Sequence, residues 1–261
     1  MTVFHLREQR YAPSSHMPSH AHAAPSMSIL LQGSLRESTG RRSEVALPLS
    51  VSFMGADISH VDEFGPSGAT LLQVHFHDVD PDFENARRRL QDWTWTHGGT
   101  AAKQFLRLAS AVRRASDPQV IEQLVVDVLA AGIPEDPARG PIPAWLVDVR
   151  ETIDDSYGWP RVADLAATAH VHRVYLARQF RRFYGCSVSD YIRRRRVQSA
   201  ALHIGSSKTL SATAHACGFH DHPHMCRSFR RESAMSPSEF QRLTHQGRSE
   251  ITPCSRTQSA G

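Results

Sequence analysis

Six arginines in two matched triplets offer the most specific chemistry in this sequence. Arg178, Arg181 and Arg182, in R-Q-F-R-R-F-Y-G-C-S-V-S-D-Y-I-R (178–193), recur without gaps as Arg227, Arg230 and Arg231 in R-S-F-R-R-E-S-A-M-S-P-S-E-F-Q-R (227–242). Phe180, Ser187, Ser189 and Arg193 recur with them, while Asp190 and Tyr191 recur in kind as Glu239 and Phe240. A guanidinium is a planar fork of donors that fits phosphate oxygens or the O6 and N7 edge of guanine. Histidines form a second set. His20 and His22, two apart on an extended segment, share a face, and with His60, His75 or His77 they can line an interior and hold a divalent metal or touch a small molecule.

The arginines need helices to present them. Each copy follows a short Ala-rich stretch, L-A-A-T-A-H (165–170) and T-A-H-A-C-G-F (213–219), so each reads as helix, tight turn, helix. Ala166 and Ala214 are small where the paired helices cross at close range. Gly218 allows a positive φ in the second turn, Phe219 plugs the core, and Pro223 suits the first turn of the next helix. Leu176, Phe180 and Phe183 make a buried stripe at i, i+4, i+7. Ser187 to Ile204 reads as a joining helix with apolar points at Tyr191, Ile192, Val197, Ala200 and Ala201, interrupted by the run Arg193 to Arg196. One of these arginines is expected to pair with an acid, Asp164 or Glu232.

At Ala214, Gly218, Phe219, Phe229, Arg230, Arg231, Met235, Ser236, Pro237, Phe240 and Arg242 the chain resembles the AraC/XylS family of transcription regulators. It departs from that pattern at Thr213, Met225 and Ala234, where the family usually has Ile, Phe and Gly. Arg195 stands where an aliphatic residue is usual. The resemblance implies two helix-turn-helix units on one long helix, entering successive major grooves about 34 Å apart on one face of double-stranded promoter DNA. Carried over by position, the base contacts fall on Val174, Ala177, Arg178, His222, His224, Cys226 and Arg227. His172, Arg173, Arg181, Arg182, Arg230 and Arg231 would set register on phosphates. Arg178 and Arg227 have a second reading as phosphate contacts only.

Charge agrees with that division. Residues 143–245 carry 15 Lys plus Arg against 9 Asp plus Glu, while the whole chain is only +4. A basic segment on an acidic remainder suits a nucleic-acid binder with a separate sensing half. The expected fold is α+β. Residues 1–80 read as short strands of a small cupin-like β-barrel, from S-M-S-I-L-L-Q-G, L-P-L-S-V-S-F-M-G and A-T-L-L-Q-V-H-F-H. Residues 81–132 read as helices, with stripes at Phe83, Leu90 and Trp93, at Phe105, Leu108 and Val112, and at Ile121, Leu124, Val125, Val128 and Leu129. Asp117 and Pro118 start the third helix. These stripes either cover the barrel or form a homodimer surface. Residues 133–143 read as a linker, 144–245 as the DNA-binding domain and 246–261 as a disordered tail.

His20, His22, His60 and His75 are the expected effector pocket. The carboxylate that joins such histidines in metal-binding cupins is missing after His22, so no metal, no cofactor and no enzyme activity are expected. Cys186, Cys217, Cys226 and Cys254 lack metal-like pairing and read as reduced thiols of a cytoplasmic protein. No apolar run approaches a membrane span. Three function classes follow: a transcription regulator with a small-molecule effector, contacting RNA polymerase if it activates; a metal-dependent cupin enzyme fused to a DNA-binding module; and an alkyl-transfer repair regulator, for which the Cys-rich domain is lacking.

Overall fold

The computed structural model describes residues 3–40, 42–78, 90–131, 141–156, 158–204 and 209–246. Seven strands form one antiparallel sheet: β1 (Val3–Tyr11), β2 (His16–His20), β3 (Ser26–Thr39), β4 (Arg42–Ala46), β5 (Ser50–Met54), β6 (His60–Asp78) and β7 (Thr94–His97). The order is β1-β6-β3-β5-β7, with β2 added to β6 and β4 to β3. Among the described residues no pairing joins β1 to β7, so the expected closed barrel is an open, folded sheet. Its two longest strands are not the short runs expected. β3 and β6 continue through register shifts near Leu30/Gln32 and Gly33/Leu35, and such bulges bend a strand without ending it. Gly33 makes the bend possible: at φ 79° it passes so close to Gly68 that a Cβ would sit 1.8 Å from the Gly68 carbonyl oxygen.

Period-two alternation places Met27, Ile29, Leu31, Val51, Phe53, Leu72, Val74 and Phe76 on one face, against helices α1 (Gly99–Arg113) and α2 (Pro118–Ala130). Leu30, Leu35, Phe64, Ala69 and Leu71 line the other face, with Tyr11 and Trp95. Asp117 caps α2 by accepting the Gln119 amide at 2.8 Å, and Pro118 follows it. The stripe expected through Phe83, Leu90 and Trp93 does not form a helix where it is described. Phe83 lies outside the described residues, Leu90 sits in a turn, and Trp93 leads into β7. The Trp93 and Trp95 indoles both donate to Glu37, a period-two demand that an i, i+3 spacing of apolar residues disguises.

Seven further helices follow among the described residues: α3 (Ala144–Asp154), α4 (Val162–Thr168), α5 (Arg173–Tyr184), α6 (Val188–Ile204), α7 (Leu210–Ala216), α8 (His222–Ser233) and α9 (Pro237–Gln246). Helices α5 and α8 are both 12 residues long, and the 49-residue offset of the sequence repeat carries one onto the other. Ser187 starts α6 by bonding the Asp190 amide and carboxylate, and Ser236 does the same with Glu239 before α9. Gly185 ends α5 at φ 68°, and its counterpart Ala234 ends α8 at φ 61°. An L-residue is strained in that left-handed position. Ala234→Gly is therefore expected to raise stability by about 0.5–1 kcal/mol, read as a higher urea midpoint with an unchanged slope. An unmoved or lower midpoint would remove the strain argument.

The cores do not divide as the two repeats do. The first unit packs by itself, with Leu146, Val149, Ile153, Leu165, Ala166, Leu176, Phe180, Tyr191 and Ile192. Phe183, expected on that stripe, is half-buried at its margin. The second unit, through Ala214, Phe219, Met225, Phe229, Phe240 and Leu243, joins one continuous core with α1, α2 and the sheet. The linker expected at 133–143 lies mostly outside the described residues, as do Cys254 and the tail beyond Gln246.

Candidate nucleic-acid interface

Helix α5 begins where His172 Nδ1 accepts the Val174 amide at 3.3 Å. That bond leaves Nε2 as the ring nitrogen able to face a phosphate. Leu176 and Phe180 turn the other face inward, so Arg173, Val174, Ala177, Arg178, Arg181 and Arg182 are all exposed. Val174 keeps 69% of its surface in solvent, which is unusual for an aliphatic side chain. On α8, Asp221 caps the helix by accepting the His224 amide at 2.6 Å, and Pro223 follows. Met225 and Phe229 are buried beneath, leaving Arg227, Arg230 and Arg231 exposed.

The two faces differ at their start. His222 and Cys226 are half-buried and lie 3.3 Å apart (Nε2 to Sγ), and His224 packs edge-on against Phe219. These three present less surface than their counterparts on α5. The turn into α8 holds Gly218 at φ 73°, where a Cβ would meet the Trp159 ring at 2.6 Å. Cys186 and Cys217 are both buried, and burial pushes the Cys186 thiol up, away from reactivity.

Of the arginine run in α6, Arg193 and Arg194 both reach Glu232 of α8, at 3.0 and 3.5 Å, and Arg193 also reaches Asp190 at 2.7 Å. Of the two acids expected, Glu232 and not Asp164 reaches the run, because α6 packs against α8 at this level. Arg195 turns inward. It is 2% exposed, with Nε 2.8 Å from Asp154 Oδ1 and NH1 donating to Gln198 Oε1 at 3.1 Å.

From Gln198 a buried polar chain crosses from the helices to the sheet. Gln198 Nε2 and the Leu47 amide both donate to Ser50 Oγ, at 2.9 and 3.3 Å. The Ser50 proton is then available to His97 Nδ1 at 3.0 Å, which turns His97 Nε2 toward Glu44 Oε2 at 3.4 Å. Glu44 Oε1 accepts Arg150 NH1 at 2.7 Å, and Arg150 stands on α3 one turn before Asp154. No sequence spacing signals the Gln198–Ser50, Ser50–His97, His97–Glu44 and Glu44–Arg150 pairs, since their members lie far apart along the chain.

Burial alone would raise the Glu44 carboxyl, but the His97 hydrogen bond and charge and the Arg150 ion pair more than offset it and hold the group at about 2. A carboxylate depressed on folding contributes stability above its ordinary range near 4.5 and loses it as pH falls toward 2. The loss expected between pH 5 and 2 is about 3 kcal/mol. Denaturant unfolding over that range should show a steeper acid limb for the native chain than for Glu44→Gln. Identical limbs would show that this ion pair does not contribute.

The histidines expected as a pocket do assemble. His20, His22 and His60 place their rings 4.2–5.2 Å apart, and His75 follows 6.4 Å from His22. The carboxylate that does not follow His22 in the chain comes instead from β6 and β3: buried Asp62 and Glu37 are cross-strand partners beside His60. Burial pushes the Asp62 carboxyl up to about 6 against the pull of His20, and drives the His75 imidazole down to about 4. A cavity of about 950 Å³ lies elsewhere, between α1, α2 and the α8–α9 turn, and includes Arg107, Arg113, Arg114, Arg242 and Glu239 in its walls.

Comparison with known proteins decides what the paired helices are. The helix-turn-helix domain family of the AraC type matches residues 165–243, from within α4 to the last turns of α9. Residues 165–243 form an AraC-type helix-turn-helix domain. A curated relative, the uncharacterized HTH-type transcriptional regulator YijO of Escherichia coli (strain K12), is 31% identical over 99 residues. That alignment takes in 37% of this chain and 35% of YijO, about a third of the relative's length. Among solved structures, ToxT of Vibrio cholerae O395 aligns over 92% of this chain and 98% of its own, at 12% identity and TM-score 0.37. The DNA-binding domain of AdpA, in complex with a target DNA, aligns over 41% of this chain and 97% of its own, at 24% identity and TM-score 0.37. In this chain the AraC-type domain has α5 and α8 as the second helices of its two units, and α6 as the rod between them. No described helix is long and apolar enough to cross a membrane.

Proposed function

We propose that the chain is a sequence-specific transcription regulator, an activator, whose AraC-type domain inserts α5 and α8 into successive major grooves of promoter DNA. The observation that carries this reading is the exposure, on two helices of equal length at one offset, of arginines at the same three positions. Arg178 and Arg227 then grip base edges, while Arg181, Arg182, Arg230 and Arg231, with His172 and Arg173, hold phosphates. Val174 and Ala177 offer only apolar contact, suited to thymine methyls, so the first unit reads fewer hydrogen-bonding groups than the second. The sheet half is the sensing half, and the buried chain from Glu44 to Gln198 is its mechanical link to α6. A small molecule in the arginine-lined cavity would touch both halves at once. That volume is of ligand size. A homodimer and a contact with RNA polymerase complete the proposal.

The test is selection of bound sequences from a random duplex pool. It is done with the full chain, because the second unit shares its core with α1 and α2. Enrichment of two elements about one helical turn apart supports the reading; enrichment of one element, or none, sinks it. Within the selected site, Arg181→Ala is expected to weaken binding evenly across sequences and to lower the slope of log affinity against log salt by about one unit. A slope equal to that of the unsubstituted chain would remove Arg181 from the backbone contacts.

A further inference from the structure

We infer that the sheet half carries a divalent transition-metal site, with His20, His22 and His60 as imidazole ligands and Asp62 as the carboxylate. The donor atoms of the three histidines lie within 4.8 Å of one another, on the segment that ends β2 and on the start of β6. The imidazoles are already oriented. His20 Nδ1 bonds the Pro18 carbonyl at 2.9 Å and His60 Nδ1 bonds the Ile58 carbonyl at 3.0 Å. A carbonyl only accepts, so each ring carries its proton on Nδ1 and turns a bare Nε2 lone pair inward. This is the outer bonding that fixes a metal-binding histidine.

What the lone pairs face is a carboxylate. Asp62 Oδ2 lies 3.9 Å from both His20 Nε2 and His60 Nε2, too far for a hydrogen bond. His20 Nε2 and Asp62 Oδ1 are buried without a hydrogen-bond partner. Asp62 is itself only 7% exposed, and its cross-strand partner is the buried Glu37. Two lone pairs and two carboxyl groups converging in a buried space repel, and a proton or a metal cation among them relieves the repulsion. Ligand atoms around a tetrahedral ion lie about 3.3 Å apart, so the 3.9 Å separations need to close by only about 0.6 Å.

Glu37 is held from behind by the Trp93 and Trp95 indoles on one oxygen, so it braces the site and is not counted as a ligand. Imidazole and carboxylate together suit Zn²⁺, Fe²⁺, Co²⁺ or Ni²⁺, and disfavour Ca²⁺ and Mg²⁺. His75 lies a ring further out, stacked with His5.

The experiment uses the purified full chain, stripped with a chelator and titrated with Zn²⁺ and separately with Co²⁺. One ion per chain is expected, with a rise in melting temperature on Zn²⁺ addition. His20→Ala and His60→Ala should each weaken binding at least about tenfold, while a His222→Ala, Cys226→Ser double variant should bind as the native chain does. The Co²⁺ spectrum of the native chain gives a readout that needs no variant. It should show d–d bands without a thiolate charge-transfer band. A thiolate band, no stoichiometric binding, or undiminished binding in both histidine variants would overturn the site.

Discussion

Asp154→Ala is expected to destabilise the protein by about 3–5 kcal/mol, the range for removing one partner of a buried ion pair. Asp154 Oδ1 accepts Arg195 Nε at 2.8 Å and the Tyr191 hydroxyl at 2.9 Å, and the guanidinium it neutralises is 2% exposed. The neighbouring groups cannot substitute for it: Gln198 is neutral and its own amide is engaged with Ser50. The unpaired charge would also reach the sheet, since Gln198, Ser50, His97 and Glu44 follow in one chain. Arg195→Met should cost far less, because a long apolar side chain fills the same space and Asp154, less buried, keeps the Tyr191 donor. Equilibrium unfolding of the two variants checks this. Equal losses would mean that the unpaired buried guanidinium is not what makes Asp154→Ala costly.

For the double variant Arg178→Ala, Arg227→Ala, binding to the selected site is expected to fall by about 2–6 kcal/mol, with each single change costing about 1–3 kcal/mol. The two positions lie on separate helices in separate hydrophobic clusters, so their losses should add. Both side chains are exposed, so neither change should lower stability. Each single variant should relax preference in one element of the site only. Competition binding with duplexes mutated in either element measures this. A uniform loss on every duplex, including unrelated ones, would reassign both arginines to phosphates.

The AraC-type domain was legible in the sequence because its determinants are local. Helix periods, small residues at crossings and a positive-φ position in a turn each act within a few residues. Two copies at one offset make such signals mutually confirming. The same locality misled at Leu90 and Trp93, where i, i+3 spacing imitated a helix. The indoles of Trp93 and Trp95 answer to Glu37, more than fifty residues earlier.

By itself the sequence determined the α+β division, the paired helix-turn-helix units, their matched arginines and the Asp117 cap. Tertiary structure alone decided that Arg195 turns inward to Asp154, that Glu232 takes Arg193 and Arg194, and that the second unit shares its core with α1 and α2. It also decided that the buried acids Asp62 and Glu37 stand beside His60, where none follows His22 in the chain. The reason is common to the three that involve polar groups. A buried charge or ligand is satisfied by whichever group the fold brings within bonding distance, and in a folded sheet crossed by a long helix that group can lie anywhere in the chain.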